Sequence, residues 1–300
     1  MENISGDQIT ISRGGMSATI ATVGASLRQY QVDGTDAVVP FHSDEIAPAY
    51  HGMVLAPWPN RLRDGRYTFD GRDLQLPLND AEFSAALHGL VSWQNWAVVS
   101  VQHDAVALCL ELPASPGYPF RLVLEVSYRL SSEGLSVSAT ATNAGDHALP
   151  YGLGFHPWIS PGSANLDDCT LELSARSRIL VDDRWMPAAV VPVRDTFDFL
   201  EPRPLLGTSV CDTWVDPVRD ARGRSWAKLG RPDGATVTVW GDAEVQAWQV
   251  CTGDGVPAIA RSGIALEPMT CAADAFRTGE RLIRIEPRAH HSLTWGIAVD

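Results

Sequence analysis

Long apolar runs are missing from this 300-residue chain. Nowhere do about 18 hydrophobic residues follow one another, so no membrane-spanning helix is expected. Basic charge is scarce as well: 23 Lys and Arg stand against 36 Asp and Glu, a formal net charge of −13. Nucleic acid and anionic membrane surfaces need clustered cations, so neither is expected as a general partner, and a neutral small molecule suits the surface better. Cysteine is sparse and unpatterned, with five residues at 109, 169, 211, 251 and 271 and no C-x-x-C pair. A disulfide framework or a zinc site is therefore not expected, and reduced thiols in a cytoplasmic protein are the plain reading. Cys109, in AVALCLEL, reads as a small buried hydrophobe, and Cys271 would need an activating environment to act as a nucleophile. The opening MENISGDQIT lacks a basic start followed by an apolar core, so no signal peptide is expected. No Gly/Ser linker, charge block or repeat divides the chain, and its 20 prolines are scattered. One domain over residues 1–300 is expected, with ample length for a core.

What the chain has in abundance is alternation. MSATIATV (16–23), WAVVSVQ (96–102), RLVLEVSYRL (121–130), GLSVSATATN (134–143), VQAWQVCT (245–252) and HSLTWGIAV (291–299) are short, β-branched or aromatic, and bounded by turn residues. RYTFDGRDLQL (66–76) reads as a hairpin, because Asp70-Gly71 supplies the positive φ pair of a type I′ turn. No long amphipathic helix is visible; NDAEFSAALHG and SDEIAPAYHG could hold a helical turn or two. Many strands without crossover helices predict an all-β fold, a large antiparallel β-sandwich with few short helices. The irregular stretch 192–212 is expected to cover a sheet face or a site.

Five short segments break the pattern with polar residues in apolar or glycine-rich settings. In PWPNRLRDG (57–65), Asn60 could order a turn and Arg61 could offer a fork of donors, or both could be solvated surface groups. In LHGL (87–90), His88 could be presented on a loop or simply bonded to a carbonyl. In YGLGFHPW (151–158), Pro157 holds His156 extended beside Gly152 and Gly154. That imidazole is either a satisfied core group or a proton carrier, since only histidine has an unperturbed pKa near neutrality. In CDTWVDP (211–217), Asp212 and Trp214 pair a carboxylate with a stacking indole, or form a turn beside a core tryptophan. In GIALEPMT (263–270), Glu267 closes an apolar strand; partial burial would raise its pKa and make it a better base.

Taken in order, PWPNRLRDGRYTFDGRDLQL, LHGL, YGLGFHPW, CDTW and LEPMT resemble the landmarks of the aldose 1-epimerase (galactose mutarotase) family. VDDRWMPAAVVPVRDTFDF (181–199) resembles that family's segment before its substrate aspartate. The resemblance implies a large antiparallel β-sandwich with a sugar cleft on one sheet and no organic cofactor or metal. It implies Glu267 as general base toward the anomeric hydroxyl and His156 as general acid toward the ring oxygen. His88 would bind hydroxyls or help polarise the ring oxygen, and Asp212 and Arg61 would hold the sugar; Asn60 is a further substrate-binding candidate, and Trp58, Trp158 and Trp214 are candidates to line the cleft. Better-studied galactose mutarotases carry asparagine near the acid histidine, where this chain has Gly152, Gly154, Pro157 and Trp158, and LHGL has leucine where a further glycine is common. The pattern looks like a bacterial branch of undefined sugar preference, working as a monomer or homodimer on a monosaccharide. Three other readings share these residues. A hexose-6-phosphate epimerase would need a phosphate pocket from Arg61, Arg63 and Arg66. A sugar-binding protein would use the cleft without chemistry. A glycoside hydrolase would pair Asp212 with Glu267.

Overall fold

The computed structural model describes residues 3–300. Among the described residues the architecture is almost entirely β, with one short α-helix at Ala275–Thr278 and three single 3-10 turns. Two large antiparallel sheets carry the molecule. The first has nine strands in the order Ala97–Val101, Ala105–Leu112, Leu122–Ser131, Gly134–Asn143, His290–Val299, Thr236–Gly241, Ser225–Gly230, Thr170–Leu173 and Arg203–Pro204. The second runs Pro187–Pro192, Ala175–Val181, Cys211–Pro217, Ala247–Cys251, Ile264–Met269, Gly154–Phe155 and Val54–Leu55, and Trp158–Ile159 also pairs with Ile264–Met269.

Alternation decides which face enters the core. In Leu122–Ser131, Leu122, Leu124, Val126, Tyr128 and Leu130 are buried, while Glu125 and Arg129 face out. Tyr128 donates its hydroxyl proton to the Ala25 carbonyl at 2.6 Å, so burying the ring strands no polar atom. Cys109 takes the opposite phase to its neighbours Val106, Leu108 and Leu112. It therefore sits half-exposed across from Glu125 rather than in the core.

The Asp70-Gly71 hairpin forms as the sequence implies: Arg66–Phe69 pairs with Arg72–Gln75 and both turn residues have positive φ. The helical expectation for NDAEFSAALHG is corrected. That segment is a turn followed by the strand Ala85–Leu87, which pairs with Arg61–Arg63; the ladder outweighs local helix propensity. SDEIAPAYHG keeps a single 3-10 turn at Pro48–Tyr50. The stretch 192–212 covers the core, burying Phe199, Leu205 and Val210.

The second sheet is buried on both faces. One face, including Trp214, Trp248, Val250, Ile264 and Leu266, joins the main core. On the other, two small apolar clusters, Ile179–Val215–Ala247–Met269 and Trp158–Ile259–Ala265, leave a polar strip between them. Segments 47–61 and 79–93 close over this strip. Their approach is tight at Gly89, where φ is +75° and an added Cβ would lie 2.0 Å from the Ala56 carbonyl oxygen. Gly89→Ala is expected to lower unfolding stability by about 3 kcal/mol, since backbone strain and overpacking add. Urea titration checks this; an unchanged midpoint would contradict the tight contact.

Candidate active site

Three neighbouring strands build the floor. Thr213, Gln249 and Glu267 stand directly opposite one another across Cys211–Pro217, Ala247–Cys251 and Ile264–Met269, so their side chains share one face. Glu267 is not at a strand end but mid-strand, and is 2% exposed. Its Oε1 lies 3.4 Å from Nε2 of His156, which occupies the break between Gly154–Phe155 and Trp158–Ile159. The His156 backbone is fixed from both sides, its N–H donating to Met53 and its carbonyl accepting from Gly52. Its ring lies near-parallel to Trp158 at 5.8 Å and to Tyr50 at 6.3 Å, and meets His88 edge-on at 5.4 Å.

His88 and Asn60 interlock. The Asn60 backbone N–H donates to His88 Nδ1 at 3.1 Å, so a neutral His88 carries its proton on Nε2 and can only donate there. Asn60 Oδ1 accepts from the Arg61 N–H at 2.7 Å, and Asn60 Nδ2 donates to Gln249 Oε1 at 3.2 Å. Gln249 Oε1 also accepts from the Thr213 hydroxyl at 2.5 Å, which turns its amide nitrogen toward Cys211. Asn60, His88 and Tyr50 all have φ near +57°, namely 58°, 59° and 56°. Such backbone strain is held only where surrounding contacts over-determine it. Arg61 Nε donates to Asp80 Oδ2 at 2.8 Å, and its guanidinium lies over the rings of Phe83 and Trp185.

Burial sets the charge states. It raises the Glu267 carboxyl well above the usual carboxylate range, with the neighbouring Cys251 adding to the rise and Arg61 opposing it. It lowers His156 to about 3, helped by His51, and lowers His88 well below its usual value, helped by His156 and Arg61. Burial thus disfavours the charged form of both members of the pair. Glu267 Oε2 and His156 Nδ1 are both buried without a hydrogen-bond partner. Buried polar atoms of that kind are costly in a folding scaffold and useful where a ligand supplies the bond.

His51 stacks on Trp158 at 5.2 Å and bonds the Pro48 carbonyl through Nδ1. Burial depresses it to about 4, against partial opposition from that bond and from Glu45. A histidine depressed in the folded state contributes stability above its unfolded pKa and loses it as pH falls. Acidification from about pH 6.5 to pH 4 should therefore cost on the order of 3 kcal/mol through this group. His51→Phe, which keeps the stack, should reduce the slope of stability against pH in that window by the share of one histidine, leaving the shares of His156 and His88. An unaltered pH slope would contradict the assignment.

Not every residue picked from sequence converges. Glu267, His156, His88, Asn60 and Arg61 do. Asp212 and Trp214 do not, and that expectation is corrected. Asp212 stands opposite Val250 and Leu266, on the core face, where it bonds Arg178 at 3.1 Å. Trp214 is fully buried against Phe199 and donates to the Phe197 carbonyl. Strand alternation instead turns Cys211 and Thr213 to the face that carries Glu267. Trp58 is core, packed on Phe276, whereas Trp158 backs the two histidines. Missed from sequence were Gln249, Thr213, Cys211, Cys251, Tyr50 and Asp80. Only Gln249 left a signal, a polar residue inside the apolar strand AWQVC.

A family model described as aldose 1-epimerase matches residues 7–297. The chain belongs to the aldose 1-epimerase family. The Escherichia coli K12 protein YihR, described as uncharacterised, is 33% identical over 297 residues, covering 98% of this chain and 93% of its own. Among solved structures, a GalM/aldose epimerase homologue from C. elegans superposes with a TM-score of 0.87 at 19% identity, over 98% of both chains. The galactose 1-epimerase of Lactobacillus acidophilus NCFM gives 0.82 at 20% identity, over 98% of this chain and 94% of its own. At such identities the structural matches establish the galactose mutarotase-like fold. Among the described residues of this epimerase-family chain, no helix is long and apolar enough to cross a membrane.

Proposed function

We propose that this aldose 1-epimerase family member is a mutarotase that interconverts the α and β anomers of an unphosphorylated hexose such as glucose or galactose. The observation that carries the reading is the buried contact between Glu267 Oε1 and His156 Nε2, with a partnerless polar atom on each side chain. Ring opening needs one proton removed from the anomeric hydroxyl and one delivered to the ring oxygen. Glu267 serves as the base and His156 as the acid. His88, locked as an Nε2 donor, adds a hydrogen bond to the ring oxygen without changing charge. Asn60, Arg61 and Gln249 hold the hydroxyls.

The neutral forms that burial favours fit the cycle. A carboxylic acid with a neutral imidazole holds the same number of protons as a carboxylate with an imidazolium. It is the state reached after opening, when the base has gained a proton and the acid has lost one. Moving between the two requires one transfer within the pair and no proton from solvent. The aldehyde then turns about C1–C2 and recloses on either face.

The arginines that a phosphate pocket would need favour an unphosphorylated substrate. Arg61 is paired with Asp80, Arg63 with Asp182, and Arg66 bonds Gln75 on an exposed hairpin, so none of the three offers a free cation to the strip. A glycoside hydrolase pairing Asp212 with Glu267 is disfavoured because the two lie on opposite faces of the sheet. Asp212→Asn should therefore change the mutarotation rate less than about threefold and cost about 1 kcal/mol of stability through its Arg178 pair. A hundredfold loss of rate would return Asp212 to the site. Polarimetry on freshly dissolved α-glucose and α-galactose, with and without enzyme, tests the activity. Acceleration of either supports it, and none with any common aldose contradicts it.

A further inference from the structure

The wall of the cleft beside Glu267 contains two cysteines that the proposed chemistry does not use. Cys211 and Cys251 are directly opposed in the antiparallel pair of Cys211–Pro217 with Ala247–Cys251. The Thr252 N–H donates to the Val210 carbonyl one position outward. Bonded and non-bonded positions alternate along such a ladder, so 211/251 is a non-hydrogen-bonded pair. In that arrangement Cα atoms approach to about 4.5 Å and side chains are closest. This spacing lies inside the range a disulfide tolerates. Both thiols are half-buried, whereas Cys169 and Cys271 are fully enclosed. Their register places the two side chains on the same face of the sheet, directly across from one another. Gln249 Nε2 points at Cys211 Sγ from 3.9 Å. Cys271, by contrast, is pushed up to about 12 by burial and is inert.

We infer that Cys211 and Cys251 form a reversible cross-strand disulfide that acts as an oxidation-sensitive switch on the cleft. The oxidant is a low-molecular-weight disulfide such as glutathione disulfide. The thiolate of one cysteine of the pair attacks one of its sulfurs and expels one glutathione thiol, leaving a mixed disulfide. The other cysteine then attacks the protein sulfur of that mixed disulfide, expelling the second. Two protein thiols become one disulfide, one disulfide becomes two thiols, and the protons pass to the departing thiolates. The closed pair removes Cys211 as a partner for Gln249 and pins the strand ends beside Glu267. The switch on turnover rests on the mutarotase reading; the disulfide itself does not.

The test uses the full-length protein incubated with glutathione disulfide, then unfolded, alkylated and analysed by mass spectrometry. Loss of a pair of hydrogens, with protection of only Cys211 and Cys251 and recovery on adding dithiothreitol, is the expected result. Cys211→Ser should stop the reaction at the mixed disulfide on Cys251. Turnover of the oxidised form should fall at least about tenfold, a scale set by how steeply rate depends on positioning. Two freely alkylated thiols after oxidation, or separate stable glutathione adducts on both in the unsubstituted chain, would overturn the pairing. Unchanged turnover in a fully oxidised sample would overturn the switch. A reduced protein that accelerates no sugar defeats the mutarotase reading and the switch with it, while the masses still decide the disulfide.

Discussion

Glu267→Gln is expected to lower kcat for mutarotation by about 10²–10⁴-fold while leaving KM within a few-fold. Glutamine keeps the size of the side chain and can still occupy the strip beside Gln249. What it loses is an oxygen that can gain a proton at the moment the anomeric hydroxyl gives one up. The loss therefore falls on the transition state and not on ground-state binding, which is why kcat should carry it. In free-energy terms the effect is about 3–5 kcal/mol of barrier. The fold should not suffer, because burial already disfavours the charged carboxylate and a neutral amide of the same size takes its place. Initial rates by polarimetry over a range of sugar concentrations, alongside thermal unfolding, check both halves. A variant that keeps its turnover would show a binding protein, or a site whose base lies elsewhere.

His156→Gln should cost a similar factor, about 10²–10⁴ in kcat, because an amide can bond the ring oxygen but cannot deliver a proton to it. Here some structural cost is expected as well. The imidazole packs flat against Trp158 and lies parallel to Tyr50, contacts an amide reproduces poorly. Adding His156→Gln to Glu267→Gln should cost much less than the product of the two single losses, because base and acid act on the same proton relay. Multiplicative losses would mean that the two groups act independently, against the shared-proton account drawn from their 3.4 Å contact.

The sequence discloses the fold through its strands, and for a physical reason. Alternation in Leu122–Ser131 or His290–Val299 is a local consequence of one face meeting the core, and the Asp70-Gly71 turn needs only two residues. His156 and Glu267 are visible because each interrupts an apolar run. The register between strands is not local, and there the reading slips. Asp212 and Cys211 are neighbours, yet alternation sends one to the core face and the other to the cleft; a one-residue offset exchanges the faces. Nothing in CDTW says which residue faces which way. Gln249, Thr213 and Asn60 form a single hydrogen-bonded unit, but they come from segments as far apart as 189 residues in sequence. Local propensity failed at 79–89 for a related reason: the partner that makes Ala85–Leu87 a strand is Arg61–Arg63.

The most direct test of the central claim is a crystal structure of the Glu267→Gln protein with glucose or galactose bound. The account predicts one pyranose over the strip of Thr213, Gln249 and residue 267, with its anomeric oxygen within hydrogen-bond distance of the residue 267 side chain and its ring oxygen facing His156 Nε2. A sugar bound with its hemiacetal carbon away from both side chains, or seated on the Asp212 face, would contradict it.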